Sequence, residues 1–205
     1  MTWPATARYR LEPAPGGLGL VQDLLNTVAA GTPPHPDLLD GLAEARAWAH
    51  EAAVEWAAAT GLPAPHLTLD AEGLRELRTF RETLGKLVAR QGEGRSQESG
   101  EGAGALGPGV AYSGEAALRL GEDGVVRLEP CGTGWRHLVA LALAAAYDGR
   151  RADTARRLKT CRNPLCRVAF YDRSRNNSGV WHDVKTCGNA ANLRAYRARR
   201  REQET

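Results

Sequence analysis

Two short pairs of potential metal ligands, Cys161-x4-Cys166 and His182-x4-Cys187, constrain the C-terminal part of this chain more than any other feature. Each pair can clamp one edge of a tetrahedral ion, and the loop between the pairs folds back to close the cage. Three thiolates and one imidazole neutralise a zinc dication and leave no position open to water. The expected site is therefore structural, with Cys161, Cys166, His182 and Cys187 as ligands and zinc as the cofactor. Asn163-Pro164 favours a tight turn whose N–H groups can point at the sulfurs. The competing reading is buried cysteines plus a surface histidine. It does not explain why three of the four cysteines fall in one polar, arginine-rich segment. Such a segment would not fold alone, and structural zinc, worth roughly 10–16 kcal/mol in zinc-finger peptides, could supply most of its stability. Cys131, between Pro130 and Gly132, has no partner pair and reads as a core or free thiol.

The charge is distributed as unevenly as the cysteines. The net charge of +3 over 205 residues divides into +10 for residues 150–205, with 15 Lys+Arg against 5 Asp+Glu, and −7 for the rest. One end attracts polyanions and the other repels them. The N-terminus, with Pro4, Arg8, Arg10 and Glu12 and no apolar run, does not resemble a signal peptide. The longest apolar run, Leu138 to Tyr147, is too short to span a bilayer. No membrane partner is expected, and a cytoplasmic location follows, where thiols stay reduced and cysteines serve metals or cores rather than disulfides. Abundant Ala, Gly and Arg with a single Met suggest a bacterial, GC-rich source.

Residues 1–149 read as a helical body and residues 150–205 as a small basic module, an α+β chain that is mainly helical. Leu18 to Ala30 is a short apolar helix ended by Gly31 and Pro33-Pro34. Asp37 to Thr60 carries Leu38, Leu42, Ala45, Ala49, Ala52 and Trp56 in steps of four and three and stops at Gly61. Asp70 can cap a third helix with the stripe Leu74, Leu77, Phe80, Leu84, Leu87 and Val88, leaving Arg75, Arg78, Arg81 and Lys86 outside it. From residue 92 to residue 109, seven of eighteen positions are glycine, which predicts a flexible loop. Ala117–Leu120 and Val125–Leu128, flanking Gly121-Glu122-Asp123-Gly124, predict a β-hairpin. Trp135 to Tyr147, nearly all apolar, is expected to be the buried central helix.

The basic module resembles the CGNR zinc-finger proteins of bacteria. Their C-terminal pattern is approximately C-x4-C, F-x-D-x-S-R-N, W-C-x4-C-G-N-R and a basic helix. Here it reads Cys161-x4-Cys166, Phe170-Tyr171-Asp172-Arg173-Ser174-Arg175-Asn176, Trp181-His182 and Cys187-Gly188-Asn189-Ala190. Gln22-Asp23-Leu24-Leu25-Asn26-Thr27 resembles the L-D-F-V-N-T opening of the family's N-terminal ABATE domain. The resemblance implies an ABATE-like body followed by a treble-clef-like finger, in proteins generally regarded as transcriptional regulators with nucleic-acid-binding fingers. Two departures stand out. His182 replaces a cysteine and still ligates zinc, whereas Ala190 replaces the arginine of the name-giving motif and removes whatever contact it makes.

Asn189 can cap a helix running to about Arg201, on which Arg194, Arg197 and Arg201 share one face at 100° per residue. Leu193 and Tyr196 on a neighbouring face can dock on the finger. Guanidinium groups of this kind bridge phosphates or fork onto guanine edges. Arg175, Lys185, Asn189, Arg194, Arg197, Arg200 and Arg201 are the expected nucleic-acid contacts, with DNA as the expected partner. The body would dimerise or sense a small-molecule effector. Two other readings stay open: an enzyme using a body pocket or an open metal, and an RNA-binding protein that stacks bases on Trp181 and Tyr171.

Overall fold

The computed structural model describes residues 2–31, 33–93 and 112–203. Most of the flexible-loop expectation for residues 92–109 lies outside these. Gly92, at its start, belongs to the end of a long helix.

The helical elements are α1 (Pro4–Ala7), α2 (Leu18–Asn26), α3 (Leu42–Thr60), α4 (Ala71–Glu93), α5 (Gly134–Arg151) and α6 (Asn189–Gln203). Two antiparallel hairpins join them: β1 (Glu115–Leu120) with β2 (Val126–Cys131), and β3 (Leu158–Thr160) with β4 (Ala169–Tyr171). About half of the chain is thus helical, with two small hairpins among the described residues. No helix among the described residues is long and apolar enough to cross a membrane.

The central helix is α2, not α5 as the apolar run suggested. All nine residues of α2 are buried, and it packs on α1, α3, α4, α5 and β4. α5 buries Leu138, Val139 and Leu141 but leaves Tyr147 54% exposed. Gly19 is required where α2 passes beneath Trp3, because a Cβ there would lie 2.5 Å from the indole nitrogen. α2 stops at Asn26 rather than near Ala30, since both the N–H and the hydroxyl of Thr27 turn back onto Leu24 O.

α3 begins at Leu42 rather than Asp37. The Asp37 carboxylate accepts from Leu39 N (2.8 Å) and forks onto Arg81, holding residues 37–40 in turns. Its C-terminus is as expected: Gly61 adopts φ 72° and donates to Ala57 O. Asp70 Oδ1 caps α4 by accepting from Gly73 N at 2.7 Å. Leu74, Leu77, Phe80 and Val88 of the α4 stripe are buried. Arg81 is a correction: it is only 6% exposed, because the loop through Asp37 covers that flank of the helix.

Candidate metal centre

β3 leads into Cys161, the turn through Asn163-Pro164 carries the chain to Cys166, and β4 returns antiparallel to β3. Cys161 N donates to Val168 O (2.8 Å) and Cys166 N to Asn163 O (2.8 Å), so the two thiols of the first pair share one side of a tight knuckle. The loop after β4 is built around Asp172. Its carboxylate accepts from Ser174 N, Gly179 N and Lys159 Nζ, while Lys159 also donates to Asn177 O and Gly179 O. Burial pushes the Asp172 carboxyl up, but these donors outweigh it and hold the group down at about 2. The F-x-D-x-S-R-N stretch therefore scaffolds the loop that delivers His182.

Cys187 arrives on a wide helical turn, Val184–Gly188, whose i→i+5 bonds include Gly188 N to Asp183 O at 3.3 Å. Asp183 caps this turn, accepting from Lys185 N and Thr186 N. The expected cap, Asn189, instead has helical angles (φ −62°, ψ −41°) and lies inside the continuous helical run into α6. The sequence signal for the true cap was an aspartate immediately after His182, which the apparent Asn189 boundary obscured.

Cys161, Cys166, His182 and Cys187 converge as expected: their donor atoms all lie within 4.8 Å of one another. Cys166 Sγ is 3.3 Å from His182 Nδ1. Donors around a tetrahedral zinc sit about 3.6–3.8 Å apart, so small side-chain movements would close this cage. The three sulfurs are buried with Ala30 and Val168 beneath a partial cover of Tyr9, Leu11, Val28 and Trp181. Hydrogen bonds from Cys166 and His182 outweigh burial and hold the Cys161 thiol below its ordinary range, while the same pairing with Cys161, together with burial, pushes the Cys166 thiol up. Asn163 Nδ2 donates to Cys187 Sγ (3.3 Å), supporting the opposite ligand from the first knuckle. Cys131 lies apart, half-buried at the end of β2, with its thiol directed at Glu129 O.

The finger is anchored to the body by polar side chains of α2. Asn26 Oδ1 accepts from Ala169 N (2.8 Å) and Asn26 Nδ2 donates to Ala169 O (2.9 Å), so one side-chain amide pairs with the edge of β4 as a neighbouring strand would. Gln22 Nε2 reaches the same carbonyl at 3.4 Å. Gly31 N donates to Cys166 O (2.9 Å). These body residues, essential to placing the knuckle, were visible in sequence only as a motif resemblance.

The cationic residues divide by role. Arg194 Nη2 donates to Asn163 Oδ1 (2.9 Å), bracing α6 against the knuckle. Arg173 is held by Glu12 and Pro13 O and lies over the Tyr171 ring. Arg175, Lys185 and Arg197 are exposed, and their side chains meet no acid or hydrogen-bond acceptor among the described residues. Arg200 and Asn189 are also exposed. The side chain of Arg201 lies outside the described residues. Leu193 (48%) and Tyr196 (56%) are exposed rather than docked on the finger. Trp181 packs against the ligand cluster and Tyr171 against the body core.

Residues 157–200 match the family model of the CGNR zinc finger, a stretch that contains all four donors. No curated protein matches the chain. The matched stretch and the Cys3His cluster together fit a metal-binding zinc finger over residues 157–200.

Proposed function

We propose that this is a DNA-binding transcriptional regulator of bacterial, cytoplasmic origin. Zinc would staple a treble-clef-like finger that presents α6 and its neighbouring loops to a duplex. The observation that carries the reading is the uncommitted charge on the finger: Arg175, Lys185 and Arg197 are exposed and unpaired among the described residues. Arg175 sits on the loop bonded to Asp172, Lys185 on the turn capped by Asp183 and Arg197 on α6, and charge at defined positions is what phosphate tracking uses. In this reading the ABATE-like body dimerises or senses an effector. An open catalytic metal has less support, because four donors converge and the carboxylate next to His182, that of Asp183, is engaged as a cap. For base stacking, the two aromatics expected to serve, Trp181 and Tyr171, are both engaged in packing.

The test uses the full chain, because Leu158 and Ala169 of the finger belong to the body's core and truncation would disrupt both. Zinc-loaded protein should bind duplex DNA with a steep salt dependence, losing about a thousandfold in affinity between 50 and 200 mM salt if six phosphates are contacted. Arg197→Ala should lower the magnitude of the slope by about 0.9. Absence of duplex binding at low salt overturns the proposal, and a strong preference for single-stranded RNA replaces it with the RNA reading.

A further inference from the structure

A cavity of about 310 Å³ lies at the seam between α4 and the knuckle. Leu25, Val28, Ala89 and Pro164 supply apolar wall, while Arg81, Lys86 and Arg167 supply cations. Three observations point to an anion. Arg81 is 6% exposed, and it commits Nη1 to Thr27 and Asp37 and Nη2 to Asp37. Its buried Nε has no acceptor among the described residues. Lys86 and Arg167 make no ion pair there either, even though Glu82 stands one helical turn before Lys86. Arg167 holds φ at 62°, a left-handed conformation that glycine adopts freely and arginine does not. A guanidinium engaged by a bound anion would account for an arginine at a backbone position that favours glycine.

We propose that this cavity binds a small monocarboxylate with an apolar body, its carboxylate among Arg81, Lys86 and Arg167 and its body against Leu25, Val28 and Pro164. Glu82 on the wall, Asp37 behind Arg81 and the Cys161 sulfur offset most of the charge of the three cations, which favours a monoanion over a dianion such as phosphate. Asn163 lines the same cavity and bonds both Cys187 and Arg194, so the occupant adjoins the residue that ties the knuckle to α6. The site rests on this geometry alone and stands whether or not the finger binds DNA.

The test is calorimetry and amide NMR on the zinc-loaded full chain, with isovalerate, its neutral amide isovaleramide, and inorganic phosphate as probes. Isovalerate should bind saturably at one site, with isovaleramide and phosphate each weaker by about tenfold or more, the loss expected when a charge-assisted hydrogen bond is missing or mismatched. Lys86→Gln and Arg167→Gln, both at exposed side chains, should each weaken isovalerate by a similar factor. Gly85→Leu fills the cavity and should abolish binding. Should that variant fail to fold, Gly85→Ala serves instead, since its Cβ meets Leu25 Cδ2 at an ordinary 3.6 Å, and it should weaken binding. No saturable isovalerate binding, equal binding of the amide, tighter binding of phosphate, or full affinity in both charge variants each overturns the proposal.

Discussion

Replacing Asn26 by alanine isolates what joins the finger to the body. The side chain is fully buried, and its amide makes two bonds of 2.8 and 2.9 Å to the backbone of Ala169, with a longer one to Thr6 Oγ1. Each neutral bond contributes about 1 kcal/mol net, and leaving a buried partner unsatisfied costs about 1–3 kcal/mol. Ala169 O keeps its contact with Gln22 Nε2 at 3.4 Å, whereas Ala169 N loses its acceptor. The expected loss is therefore about 3–4 kcal/mol, a large share of a domain stability of 5–15 kcal/mol. For a chain of this size that lowers Tm by about 10 °C. Urea unfolding of the zinc-loaded protein, followed by tryptophan fluorescence, measures it, with Asn176→Ala at an exposed position as a control expected within about 0.5 kcal/mol of the parent. Hydrogen exchange at the Ala169 amide supplies the local readout, which should become fast. A loss below about 1 kcal/mol with Ala169 still protected would refute the pairing of the Asn26 amide with the β4 edge as the join.

Three further expectations concern the finger itself. Asp172, held at about 2 against an ordinary 3.8, contributes about 2 kcal/mol that is fully present above pH 4 and lost as the pH falls toward 2. The stability gap between the parent and Asp172→Asn should narrow across that window, and a gap independent of pH contradicts the assignment. Chelating the metal at neutral pH should remove protection from amides in residues 157–200 and shift Trp181 emission to the red, whereas unchanged exchange would mean the cluster holds nothing. Arg167→Gly should stabilise the zinc-loaded fold by about 0.5–1 kcal/mol, strain relief less the added flexibility of glycine. A destabilised variant would show that the arginine has a structural contact beyond those described.

Much of this was legible from residues alone because the physics was local. Ligand pairs with four intervening residues sit on single turns, and the stripes of α3 and α4 follow from the helical repeat. What failed was non-local. Arg81 falls off the apolar stripe and so reads as solvated, yet a loop more than forty residues earlier covers it and neutralises it through Asp37. The apolar content of Trp135 to Tyr147 suggested a central helix. In the fold that place goes to α2, whose polar Gln22, Asp23 and Asn26 can be buried because partners from Thr6, Ala14, Trp48 and Ala169 satisfy them. Periodicity registers only the apolar term, so a polar residue with a distant partner looks exposed. Leu193 and Tyr196 failed in the opposite direction, since an apolar face says nothing about whether a neighbouring element lies close enough to cover it.

The same buried groups narrow where a signal could enter the body. Along Gln22-Asp23-Leu24-Leu25-Asn26-Thr27, every polar side chain is occupied: Gln22 by Ala14 and Ala169, Asp23 by Thr6 and Trp48, Asn26 by Ala169, Thr27 by Leu24 and Arg81. None of these polar side chains is left to receive a ligand, so they act as a joint, and from this motif the cavity beside the knuckle takes the apolar Leu25. Burial holds the Asp23 carboxyl above its usual range despite two donors, a further sign of a sealed interior. Thr27 hands the joint on to Arg81, and Arg81 walls the cavity beside Asn163. The route from body to finger thus ends where Lys86 and Arg167 remain unpaired among the described residues, and a molecule seated there would press on the knuckle and on the joint that positions it.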